Sequence, residues 1–304
     1  MFLSQIKSFK HTEFWRYLVG SGVVFGFSII GQFVMLFAWI IALGGYEAFE
    51  NYPQSKTMQI FDKNTTLFFI LLSFAFALLG LVIAVKKINR QKFLKVITSR
   101  NRLDWKRILF SFGLFAVIII VTTVIDYYSR PEDFVWNFKL IPFLGLAIIG
   151  TALIPIQTSV EEFVFRGYLM QGFAALSKSR IFALVLTSLI FGLLHIANPE
   201  IEKIGYIALV FYIGTGIFLG TITLMDEGTE LALGFHAANN LITALLVTSD
   251  WTALQTNSIL KDFADPEVGL QILAPVFIMY PILIFIYARK YQWSNWKQKL
   301  FGKI

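Results

Sequence analysis

The chain has 304 residues, of which 57% are hydrophobic and only 15% are Asp, Glu, Lys or Arg, against about 25% charged in an ordinary soluble domain. A water-soluble fold of this size has no core able to hide that much apolar surface, 32 Phe side chains included, whereas lipid accepts it facing outward. There is no Cys, which excludes disulfides, thiolate metal sites and Cys nucleophiles. The net charge of +7 lies mostly in segments flanking apolar runs, so it points to membrane topology and not to nucleic acid as a partner.

In chain order the apolar runs are Leu18–Gly44, Leu67–Val85, Ile108–Ile125, Leu140–Ile156, Ile181–Ala197, Ile204–Leu224, Leu231–Thr248 and Leu270–Ala288. Each is near the roughly 20 residues that cross the hydrocarbon core as a helix. The first is too long for a signal-peptide core and reads as a span. The expected fold class is therefore all-α: a polytopic membrane helical bundle of about eight spans. It divides into a three-span region over 1–135, a core over 140–250, and a last span with a basic tail over 251–304.

Charge supports an even number of crossings. Lys7, Lys10 and Arg16 precede the first run, Arg289, Lys290, Lys297, Lys299 and Lys303 follow the last, and nine basic residues fall between Lys86 and Arg107 against Asp104 alone. By the positive-inside rule these segments are cytoplasmic. Loops 45–66, 126–138 and 249–269 carry mixed or acidic charge and suit the other side. The 86–107 loop has a second reading, as a site for anionic lipid or a partner.

The stretch Thr158–Ser177 breaks the simple scheme. It reads as a helix, and Pro155 just before it should kink or interrupt the chain. It is either a short helix at the cytoplasmic boundary or the continuation of the fourth span.

Ionisable residues inside membrane helices are costly and usually functional. Here they are Glu161, Glu162, Arg166, His195 and His236, with Asn239 and Asn240 beside the last. On a helix Glu162 and Arg166 share a face and can pair, while Glu161 lies about 100° round and is left free. Taken alone, Thr158-x-x-Glu161 also has the spacing of a capping box. His195 ends an apolar run, as a satisfied interfacial His does, with Phe191 one turn earlier on its face. His236 and Asn240 share a face, whereas Asn239 points elsewhere; such a polar pair also glues helices together. Combined in one bundle, a carboxylate, two imidazoles and an amide can activate water and stabilise an oxyanion.

The ordered motifs Glu161-Glu162-x-x-x-Arg166, Phe191-x-x-x-His195 and His236-x-x-x-Asn240, with Gly167 after Arg166, resemble the CPBP (Abi) family of intramembrane proteases, which includes the type 2 CAAX prenyl endopeptidases. The resemblance covers about 140–250. It implies an intramembrane endopeptidase in which Glu161 is the general base, His195 positions the water, His236 and Asn240 support the oxyanion, and Glu162 with Arg166 forms a structural pair. The cofactor stays open: zinc held by Glu161, His195 and His236 makes an ordinary catalytic shell, and a metal-free glutamate mechanism uses the same residues. The implied substrates are peptides or proteins within the lipid bilayer, prenylated ones among them, and the implied location is a bacterial inner membrane. The alternative is a transporter, bacteriocin self-immunity factor or scaffold that uses the polar cluster for binding; the absence of a visible internal repeat weighs against a transporter.

Overall fold

In lipid, a helix is the way for a single segment to satisfy its own backbone N–H and C=O groups, and the long apolar runs all form helices. The computed structural model describes residues 1–266 and 269–304; Glu267 and Val268, assigned by sequence to the 249–269 loop, lie outside them. The main helices are α1 (Phe14–Ala42), α2 (Lys63–Ile88), α3 (Trp105–Ser129), α4 (Leu140–Ser177), α5 (Arg180–Leu193), α6 (Ala208–Asp226), α7 (Glu230–Leu246) and α8 (Ile272–Tyr291). Their outward faces carry Phe25, Phe37, Ile41, Ile141 and Ile148, exposed as lipid-facing side chains are. The protein is an integral membrane protein.

The expected eight spans are not all alike. Among the described residues, six helices are long and apolar enough to cross a membrane. The others, α5 and α7, have 14 and 17 residues. Helix α5 is cut short because the chain turns at 194–197, just ahead of Pro199, which opens the next short helix.

The fourth run does not end at Ile156. Helix α4 continues through Pro155 to Ser177, changing to a π-helical turn at Phe163–Leu169. Thr158 is therefore in a helix interior, where its Oγ1 donates to the Ile154 carbonyl at 3.1 Å. It caps nothing, and the capping-box reading fails.

Both ends of the described chain lie at one end of the bundle. Ile304 N–H donates to the Lys178 carbonyl at 3.0 Å, and Phe2 N–H donates to Glu227 just past α6. At the opposite end, β1 (Phe134–Trp136) pairs antiparallel with β3 (Leu260–Asp262), and β2 (Val247–Thr248) pairs parallel with β3. This small sheet closes the end where α3 stops and α7 runs out.

At the basic end, part of the 86–107 loop is committed to the fold. Arg100 bonds Asp226 at 3.2 Å and Glu230 at 3.0 Å; Arg107 also pairs with Asp226, whose Oδ1 accepts from Trp293 Nε1 at 3.1 Å. Asp226 and Glu230 are buried at the α6–α7 turn. The clasp ties that turn to α3 and to the tail, and so fixes the start of α7, which carries His236. Gly234 serves the same contact: a β-carbon there would collide with the Ile108 carbonyl and Ser111 of α3.

Candidate active site

Helix α4 supplies Gln157, Glu161, Glu162 and Arg166, and α7 supplies His236, Asn239 and Asn240. Glu162 and Arg166, four residues apart, pair at 3.2 Å as their spacing predicts, with 0% and 1% side-chain exposure. The same Glu162 oxygen also accepts from His236 Nδ1 at 2.8 Å. A carboxylate only accepts, so Nδ1 carries the proton, and in the neutral ring Nε2 is an acceptor. That Nε2 lies 3.6 Å from Glu161 Oε2. Glu162 thus does more than neutralise Arg166: it sets the orientation of the imidazole that faces Glu161.

The other oxygen of Glu161 is taken. Gln157 Nε2 donates to Oε1 at 2.6 Å, and Gln157 Oε1 accepts from Asn240 Nδ2 at 3.0 Å. Asn239, expected to point elsewhere, donates to Asn240 Oδ1 at 2.9 Å. Gln157 escaped the sequence reading. Its signal was present: it stands one turn before Glu161, at the i,i+4 spacing that brings side chains together.

Phe191 joins the parts. Arg166 Cζ lies 4.1 Å above its ring, within cation–π range. The His195 and His236 rings lie 4.7 and 6.4 Å from it, measured between centroids. The expected packing of Phe191 on His195 is present, but His195 sits beyond the end of α5, in the turn, and not on the helix. Its Nδ1 donates to the Phe191 carbonyl at 2.7 Å, which leaves Nε2 free, and its ring stacks on Tyr212 at 4.3 Å. The early end of α5 lets His195, in the turn that follows it, and His236, early in α7, share one aromatic neighbour.

The structure thus joins Glu161, Glu162, Arg166 and His236 through direct contacts, links Asn240 to Glu161 through Gln157, and places His195 one ring away. Among the described residues, no group of three His, Asp or Glu side chains is close enough to hold a metal ion. Glu161 and His236 adjoin, but His195 is turned to Phe191 and Tyr212, so the three do not converge as a three-ligand shell.

A family model described as type II CAAX prenyl endopeptidase Rce1-like matches residues 136–242, a range that contains every residue of the cluster. The uncharacterized protein YyaK of Bacillus subtilis (strain 168) is 30% identical over 237 residues, covering 77% of this chain and 78% of its own length. No solved structure matches the chain.

Proposed function

The chain belongs to the Rce1-like type II CAAX prenyl endopeptidase family, and on that premise we propose that it hydrolyses peptide bonds of membrane-associated substrates with water activated by Glu161. The observation that carries the proposal is the approach of Glu161 Oε2 to His236 Nε2 at 3.6 Å, with both groups bonded from behind. Such a gap lets one water lie within hydrogen-bond reach of both. Glu161 Oε2 takes a proton from the water as the water oxygen bonds to the scissile carbonyl carbon, whose π pair moves to its oxygen. When the C–N bond breaks, the proton on Glu161 passes to the departing amine. His236, steadied by Glu162, accepts the other hydrogen of the water at Nε2 and holds it in line, with His195 one ring away across Phe191.

The test is cleavage by purified, lipid-reconstituted protein of three probes: a C-terminally prenylated peptide, its unprenylated twin and a transmembrane peptide. Cleavage of the prenylated probe in preference to its twin is the expected result. Tight binding of the probes without cleavage would instead support a non-enzymatic role as a transporter, immunity factor or scaffold. The same preparation tests the metal. Because the donor set does not converge as a shell, activity should survive chelation with no metal in elemental analysis; loss on chelation and recovery with Zn²⁺ would restore the zinc mechanism.

The protein's place is the inner membrane of a bacterial cell, with the 86–107 loop and both chain ends cytoplasmic, as the clustering of basic charge at that end supports. The chain has no Cys, so labelling has no background. In intact cells a membrane-impermeant maleimide should label Glu132→Cys and spare Lys92→Cys until the membrane is opened. The reverse pattern would invert the topology.

A further inference from the structure

Three amides lie in file behind Glu161. Asn239 donates to Asn240, Asn240 to Gln157, and Gln157 to Glu161 Oε1, at 2.9, 3.0 and 2.6 Å. The file has one possible direction. An ionised carboxylate only accepts, so Gln157 must turn its NH₂ toward Glu161. That leaves the Gln157 carbonyl oxygen facing Asn240, which must answer with its own NH₂. The Asn240 oxygen is then left to Asn239. Gln157 is buried, and the shortest link of the file is the one to a charged acceptor, as charge-assisted bonds are.

We infer that Gln157, braced in turn by Asn240, is a positioning residue that holds Glu161 by Oε1 and reserves Oε2 as the basic oxygen, while the second Nδ2 hydrogen of Asn240 stays available to the substrate. The inference rests on the protease reading and gives it a detail that the motifs alone do not. With Oε1 saturated, the oxygen left to take a proton is the one that faces His236 Nε2. Without Gln157 the carboxylate could rotate about its last bond and present either oxygen in many directions, and misplacing a catalytic group by about 1 Å can cost about 100-fold in rate.

The test is a double-mutant cycle with Gln157→Leu, Asn240→Leu and the double variant, read as kcat and KM on a cleaved probe. Each single variant should lose about 10- to 100-fold in kcat with KM within about twofold of wild type. The double variant should lose less than the product of the two single losses, because both cut the same file. If the two losses multiply, Gln157 and Asn240 act independently, and the inference is overturned. A rise in KM at constant kcat overturns it too. Thermal melts of all three separate positioning from folding, and Gln157→Met, closer in shape, replaces Gln157→Leu if that variant does not fold. A wild-type protein that cleaves none of the probes removes the protease reading and this inference with it; multiplying losses remove the inference alone.

Discussion

Replacing Glu161 with Gln should lower kcat by about 1,000-fold or more, since the general base itself is removed. The amide has nearly the shape of the carboxylate and can still accept the Gln157 hydrogen bond through its oxygen, so the melting temperature should stay within a few degrees of wild type. What is lost is basicity at Oε2, the atom that faces His236 Nε2. Glu161→Asp keeps a carboxylate but withdraws it by one methylene, and should fall between the two. Initial rates on a cleaved peptide, measured beside thermal melts, decide the matter. If Glu161→Gln retains activity within about threefold of wild type, a general-base role for this residue is untenable.

Arg166→Leu should be the most damaging single change to stability. Glu162 and Arg166 are shut away from solvent, so removing the guanidinium leaves a carboxylate buried with one partner fewer. Breaking a buried ion pair from one side costs about 3–5 kcal/mol, and the loss should appear as a lowered denaturation midpoint in detergent or lipid. Replacing both partners with uncharged residues of similar volume is often close to neutral. Glu162→Gln combined with Arg166→Met should therefore regain much of the stability. Activity should not return with it, because His236 Nδ1 would no longer have a charged acceptor to hold the ring. An Arg166→Leu protein as stable as wild type would show that the pair does not contribute as its burial implies.

Much of the site was legible because its logic is helical. The Glu162–Arg166 pair and the separation of Glu161 from it follow from four-residue spacing and a rotation of about 100° per residue. The contact between His236 and Glu162 was not legible, since it joins residues 74 positions apart. Gln157 was overlooked because a lone Gln in an apolar helix raises no alarm until its neighbour across the bundle is known. The buried clasp was missed for a different reason. Asp226 and Glu230 fall between two apolar runs and so do not stand out, although acids there run against the positive charge of that end, and that contrast was the available signal. Helix lengths were the weakest expectation. An apolar run does not say where hydrogen bonding stops, so the early end of α5 and the long continuation of α4 both needed the packed structure. Strands of two or three residues are too short for alternation to register, which is why the sheet was not expected.

The brevity of α5 also bears on the surrounding lipid. Fourteen residues rise about 21 Å, whereas the hydrocarbon of a typical bilayer is about 30 Å thick. A shortfall of that kind is met by local thinning of the bilayer, at a modest cost for each ångström of mismatch. Where α5 meets lipid, headgroups and water should dip toward the turn that holds His195. Longer acyl chains would fill that dip and shorter ones would deepen it. Acyl-chain length should thus tune how wet the proposed reaction centre is, with no change in the protein.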